Sequence, residues 1–206
     1  MTVNNETVTQ LGSKVDPGKD QIAVDGTVIL WKPEAVYIAL NKPEGYVTSC
    51  DHPGEKTVVD LVAVDQRVYP VGRLDKDSTG LILLTNDGRL HHRLSHPSFD
   101  HEKEYEVTVT KPIPVHALHK LAAGLPLMGT RTRPAGVRKL SDRRFRIVLK
   151  EGRNRQIRRM VRKVGNRVVK LKRIRVASIL LGQLEKGRWR YLSEIEVKSL
   201  HELMKD

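Results

Sequence analysis

Cysteine is almost absent from this chain: Cys50 is the only one in 206 residues. A lone thiol excludes an internal disulfide framework and fits a reducing cytoplasm. With no base partner marked near it, Cys50 reads as structural rather than nucleophilic. Aromatic residues make up only 4% of the chain, and hydrophobic residues 39%, enough for one medium domain plus an appendage. No apolar run approaches the ~20 residues of a membrane span. The opening Met1–Glu6 has neither the basic flank nor the apolar centre of a signal peptide. Also missing are a Walker sequence, a glycine fingerprint for dinucleotides and a Ser/His/Asp motif. His91, His92 and His96 are close in sequence, but they match no zinc spacing backed by Cys or acid ligands. The expectation is therefore no cofactor, no nucleotide cofactor and no metal, with chemistry resting on a carboxylate, arginines and a tyrosine.

What the chain has in excess is positive charge, +13 overall. Residues 131–175 hold nineteen Lys or Arg against Asp142 and Glu151, while the rest holds eighteen basic against twenty-two acidic residues. A solvated surface mixes both signs, whereas a one-signed block in a folded segment suits a polyanion such as RNA. A basic face that serves only solubility is the plainer alternative.

Gly72-Arg73-Leu74-Asp75-Lys76-Asp77-Ser78-Thr79-Gly80 is the centre of the chain, a short acidic turn between two glycines. Glycine permits backbone angles other residues resist, so the turn can be tight and rigid. The apolar run Leu81–Thr85 then reads as a buried strand closed by Asn86-Asp87-Gly88. Asp75 is the candidate acid. Asp75 or Asp77 bonding only its own loop is the alternative.

The first thirty residues read as three or four short strands with turns at Asn4-Asn5, Asp16-Pro17-Gly18 and Asp25-Gly26. Trp31-Lys32-Pro33-Glu34-Ala35 reads as a linker to a second domain running to residue 206. In that domain Thr57–Val62 suits one or two helical turns, Arg89–Ser95 a short helix and Glu104–Thr110 a half-buried strand with Tyr105 on its apolar face. Pro114–Gly124 has helical spacing and Phe145–Leu149 alternates as a strand. Asn154–Val164 is an amphipathic helix with Ile157, Met160, Val161 and Val164 on one stripe and arginines opposite. Val168–Ile179 reads as a long strand and Ser193–Leu203 as a closing helix with a capping box.

Four ordered segments carry a resemblance: LNKPEGYV at 40–47, GRLDKDSTGLILLTNDG at 72–88, HEKEYEV at 101–107 and EGRNRQIRRM at 151–160. Together they are similar to the RsuA family of bacterial pseudouridine synthases, most of all to its RluF-type large-subunit rRNA enzymes. The resemblance implies a mixed α+β fold, with a mostly antiparallel central sheet, flanking helices and a central cleft. It also implies that residues 1–30 are part of an S4-like RNA-binding unit before the catalytic domain. On the same ground Asp75 is the essential carboxylate, as nucleophile or as base, Tyr105 stacks on the target base, and Arg158 is the guanidinium partner of Asp75. Arg73, Lys42, Lys103, Arg153, Asn154, Arg155, Gln156 and Arg159 become candidate RNA contacts. The implied partner is a stem-loop of ribosomal RNA, of the large subunit by the RluF likeness, bound by a cytoplasmic monomer. A non-catalytic RNA-binding or ribosome-assembly protein that keeps the fold is the competing function, with a base hydrolase a third.

Overall fold

The computed structural model describes residues 1–16, 18–29, 34–96 and 99–203. Pro17 of the second turn signal, Leu30, and Trp31–Pro33 of the expected linker lie outside the described residues. The chain divides into two units, residues 1–35 and 36–206, so the expected linker falls with the first.

The first unit is built from β1 (Thr2–Val3), β2 (Glu6–Thr7), β3 (Ile22–Val24) and β4 (Thr27–Ile29), paired antiparallel in the order β2-β1-β3-β4. Asn4, Asn5, Asp25 and Gly26 all take positive φ. Two such residues in a two-residue loop match the right-handed twist of a hairpin, which explains why Asn-Asn and Asp-Gly stand there.

The second unit runs β5 (Tyr37–Lys42), a 3-10 turn (Val59–Leu61), β6 (Tyr69–Val71), β7 (Thr79–Thr85), α1 (Gly88–Ser95) and β8 (Lys103–Val109). It continues through α2 (Val115–Ala123), β9 (Pro126–Leu127), β10 (Thr130–Arg131), β11 (Gly136–Ser141), β12 (Arg144–Leu149) and α3 (Gln156–Lys163). It closes with β13 (Val168–Val176), β14 (Ile179–Leu180), β15 (Trp189–Tyr191) and α4 (Glu194–Glu202). The architecture is mixed α+β, as expected. The main sheet follows β11-β12-β8-β13-β7-β5-β15, with β14 beside β13 and β6 beside β7.

Among these pairings only β7 and β13 run parallel, meeting at Lys172↔Thr79 and Arg173↔Gly80. The sheet therefore consists of two antiparallel halves joined at its middle. One half packs Val107, Phe145 and Ile147 against Leu118 and Leu121 of α2 and Ile157, Met160 and Val161 of α3. The other buries Leu81 and Leu83 beneath Leu90, Leu94 and Leu200 on one face, and Ile82 and Leu84 with Ile38 and Val58 on the opposite face. Because β7 is covered on both faces, its sequence is continuously apolar and not alternating.

Some local expectations hold and others need correction. Asp87 does not close a turn but caps α1, its side chain accepting from Arg89 and Leu90 N–H at 2.9 and 3.1 Å. Thr57–Val62 holds one helical turn of the one or two expected, the 3-10 turn Val59–Leu61. The long strand breaks at Ala177, which has φ of 50°, so β13 ends at Val176 and β14 folds back on it. Cys50 is exposed and not packed. The closing helix has its capping box at Ser193 and Glu196.

Candidate active site

The loop that carries Asp75 is held by its backbone. The side chain of Lys42 is fully buried, and its ammonium donates to the carbonyls of Ser78 at 2.8 Å, Pro43 at 3.0 Å and Asp75 at 3.1 Å, with Lys76 O at 3.4 Å. Thr48 closes a second clamp, its hydroxyl donating to Leu74 O at 2.8 Å and accepting from Leu74 N–H at 3.2 Å. A third comes from Arg173, buried in β13, which donates to Leu81 O at 2.7 Å and Arg73 O at 3.3 Å. Gly80 lets this loop join the sheet. Its φ is +104°, and an added Cβ would stand 2.2 Å from the Arg173 carbonyl oxygen, so only glycine permits the approach. Asp75 thus projects from a rigid turn with its side chain 29% exposed.

The guanidinium side is built at the start of α3. Arg155 takes a left-handed conformation, φ 50° and ψ 35°, which costs a non-glycine residue about 1–2 kcal/mol. In that position its NH1 lies 3.5 Å from Asp75 Oδ2, and its two amino groups reach the Asp77 carboxylate at 3.2 and 3.0 Å. Arg158, one turn on and only 14% exposed, brings Nε to 4.0 Å from Asp75 Oδ2. Its NH2 contacts Asp77 Oδ2 at 3.2 Å, Asp77 O at 3.0 Å and Ser78 Oγ at 3.3 Å. The Nε is buried with no hydrogen-bond partner among the described residues, which leaves one donor directed at Asp75. Sequence reasoning treated Arg158 as the partner of Asp75 and overlooked how much of it Asp77 holds. Burial raises the Asp77 carboxyl, but the Arg155 hydrogen bond and the charges of Arg158 and Arg155 outweigh it and keep it below its ordinary value. Asp77 takes the hydrogen bonds of both guanidiniums, so Asp75 has only the longer ion-pair contacts to them and still lines the open cavity.

A cavity of about 470 Å³ opens beside Asp75 and is also lined by Arg73, Lys103, Tyr105, Asn154 and Arg173. Tyr105 and Lys103 are two apart on β8, so both point to the same side of the sheet. Arg73 and Asn154 are exposed at the cavity wall. Arg159 donates to Asn154 Oδ1 at 2.8 Å and also meets Met128 Sδ.

Three sequence-based contacts need correction. Lys42 lies within the protein, and loop carbonyls occupy its ammonium, so no phosphate reaches it. Gln156 is buried, its amide donating to Glu151 at 2.6 Å and its carbonyl accepting from Arg153 N–H at 3.1 Å. Arg153 is spread over Glu151, Leu127 O, Thr130 and Arg131 O, which ties the β9–β10 hairpin to the start of α3. All three are scaffold. Arg173 was missed, and its only sequence signal was an arginine among the alternating residues of β13.

Comparison with known proteins gives a consistent picture. The family described as RNA pseudouridylate synthase matches residues 36–163. The chain is 42% identical over 198 residues to the dual-specificity RNA pseudouridine synthase RluF of Escherichia coli K12, covering 95% of this chain and 68% of that one. It is also 42% identical over 209 residues to ribosomal large subunit pseudouridine synthase B of Bacillus subtilis 168, covering 98% and 85%. The small subunit synthase A of E. coli K12 is 37% identical over 205 residues, covering 97% and 88%. A solved structure described as a pseudouridylate synthase superposes with a TM-score of 0.78 at 33% identity, covering 97% and 87%.

Proposed function

The chain belongs to the RNA pseudouridylate synthase family, in its RsuA-type bacterial branch, and from that premise we propose that Asp75, Tyr105 and Arg158 isomerise a uridine of a large-subunit ribosomal RNA stem-loop. As an isomerase it breaks the bond from ribose carbon 1′ to nitrogen 1, turns the uracil and joins carbon 5 to the same ribose carbon. One observation carries the residue roles: a carboxylate on a clamped loop, flanked by two arginines from one helix, shares a cavity with a tyrosine.

The uridine has to leave its stack, at a cost of a few kcal/mol. Tyr105 offers a face for the extruded ring, worth about 1–3 kcal/mol by stacking. Arg73, two residues before Asp75 and exposed, stands where it can fill the vacated space or hold a phosphate. Asp75 works at the ribose, either as a nucleophile at carbon 1′ or as a base for the 2′ proton, while Arg158 and Arg155 orient it. Arg159, Asn154 and Arg155 are positioned for the phosphodiester backbone. The likeness to the large subunit synthase B supports large-subunit RNA as the substrate, and residues 1–30 are proposed as part of an S4-like RNA-binding unit. We infer a cytoplasmic enzyme from the ribosomal RNA substrate, and propose that it works as a monomer. No helix among the described residues is long and apolar enough to cross a membrane.

The test compares ribosomal RNA from cells with and without the gene by carbodiimide-dependent primer-extension stops. One stop in large-subunit RNA should vanish on deletion, return with the wild-type gene and stay absent with Asp75→Ala. An unchanged set of stops would favour the non-catalytic RNA-binding protein, and a lost stop in small-subunit RNA would reassign the substrate.

A further inference from the structure

Turning uridine into pseudouridine moves one proton across the base. Carbon 5 loses its hydrogen, and nitrogen 1 gains one. Asp75 acts at the ribose, so a second group is needed on the base side. It has to reach the ring, hold an exchangeable proton and be able to release it. Arginine fails the last condition, since it stays protonated in proteins.

Among the titratable residues lining the cavity, most are held elsewhere. Lys76 pairs with Glu55 at 2.5 Å, Asp100 with Arg133, and Glu151 with Arg153 and Gln156. Lys103 differs. It stands two residues before Tyr105 on the same face of β8, so a base stacked on that ring lies beside its amine. The only hydrogen bond of its ammonium among the described residues is long, 3.4 Å to the carbonyl of His101, and donors remain for a ligand. The register sets Leu149 of β12 on one side of it and Val176 of β13 on the other, leaving no carboxylate beside it in the sheet.

We propose that Lys103 is the proton carrier on the base side of the reaction, returning a proton to nitrogen 1 and removing the one on carbon 5. The proposal rests on the roles given above to Asp75 and Tyr105. Once the carbon 5–carbon 1′ bond has formed, the ring has a C6=N1 double bond and an sp³ carbon 5. The ammonium gives its proton to N1, which acidifies the carbon 5 hydrogen. The resulting amine takes that proton; the C5–H pair becomes C5=C6 and the C6=N1 π pair returns to N1. Lysine ends as the ammonium it began as, and no outside reagent is needed. The surroundings favour this exchange. Burial, reinforced by the charge of Arg173, lowers Lys103 below its ordinary value. Arg173 from β13 is the charge that acts on it, and His101, just before β8, and Asp75 line the same cavity.

The experiment uses the full chain and the RNA fragment mapped by the deletion assay, in two forms. One carries [5-³H]uridine, whose tritium release reports loss of the carbon 5 hydrogen. The other carries 5-fluorouridine, which has no proton to lose there and so reports bond breaking and rejoining alone. Lys103→Ala and Lys103→Arg should slow tritium release at least ~100-fold and leave conversion of the fluorinated RNA within about threefold of wild type. Asp75→Ala should abolish both reactions; its failure to do so would sink the proposed function, independently of the lysine result. Equal slowing of both reactions by the Lys103 variants, recovery of tritium release at saturating RNA, or no slowing at all would each overturn the carrier role. Lys103→Arg keeps charge and bulk, so it remains decisive if the alanine variant does not fold.

Discussion

Four backbone carbonyls converge on the ammonium of Lys42, while burial works against its charge. Desolvation dominates and pulls it down to about 8, opposed by Asp77, Asp75 and Glu44 and aided by Arg173. An unfolded chain holds that proton up to ~10.4. Between these values the unfolded state binds a proton that the folded state has released, so folding stability rises with pH through this window. Below pH 8 both states are protonated and the full destabilising contribution is present. A ¹³C NMR titration of the lysine side chains should show one midpoint near pH 8, assigned to Lys42, apart from the surface lysines. A midpoint at or above 10 would mean that the carbonyls prevail over burial. Lys42 also shows why site residues are hard to read one at a time: Asn41-Lys42-Pro43 marks a turn, but whether the lysine faces RNA or the loop carbonyls depends on Ser78, 36 residues later. Asp77 was passed over for a similar reason, since its hold on Arg155 and Arg158 exists only once α3 returns to the loop.

At the scale of elements, the join between β7 and β13 is the place to test. Alanine at position 80 would bring a Cβ within 2.2 Å of Arg173 O and 2.7 Å of Arg173 N, and φ is +104°. The neighbours are backbone and cannot rotate away. Gly80→Ala should therefore lose more than ~3 kcal/mol in urea unfolding, with hydrogen-exchange protection falling first along β7 and β13. A loss below ~1 kcal/mol would show that the two halves separate easily and that Asp75 does not depend on their join. The elements that were legible in sequence carried their own signal: period two in β8 and β12, a helical stripe in α3, a capping box in α4. Strands β6, β11 and β15 were not. Six residues of β11 include exposed Arg138, Lys139 and Ser141, and β6 and β15 are three residues each, so their pairing is decided by neighbours and not by their own pattern.

For the whole molecule, the positive excess of residues 131–175 is real, but part of it is answered inside the sheet. Arg144 meets Glu106, Arg146 lies 3.6 Å from Glu104, and Arg175 bridges Glu102 at 2.9 Å and Glu104 at 3.1 Å. The acids come from β8 and its approach, and segment-by-segment counting could not assign them to these arginines. Five other arginines of the segment, Arg155, Arg158, Arg159, Arg162 and Arg167, line a second depression of about 450 Å³ around Asp77, beside the Asp75 loop. Arg162 and Arg167 are exposed, and neither pairs with a carboxylate among the described residues. A phosphate binding there displaces counterions from the RNA without first breaking an ion pair. Each arginine that makes such a contact contributes about one unit to the slope of log affinity against log salt. Arg162→Ala and Arg167→Ala should each lower that slope by about one in binding titrations from 50 to 200 mM salt. Arg146→Ala removes the same formal charge but leaves Glu104 without that partner, so it should weaken binding slightly with the slope unchanged. If all three variants lower the slope equally, net charge governs RNA association. If only the first two do, the polyanion surface is narrower than the basic segment that encodes it.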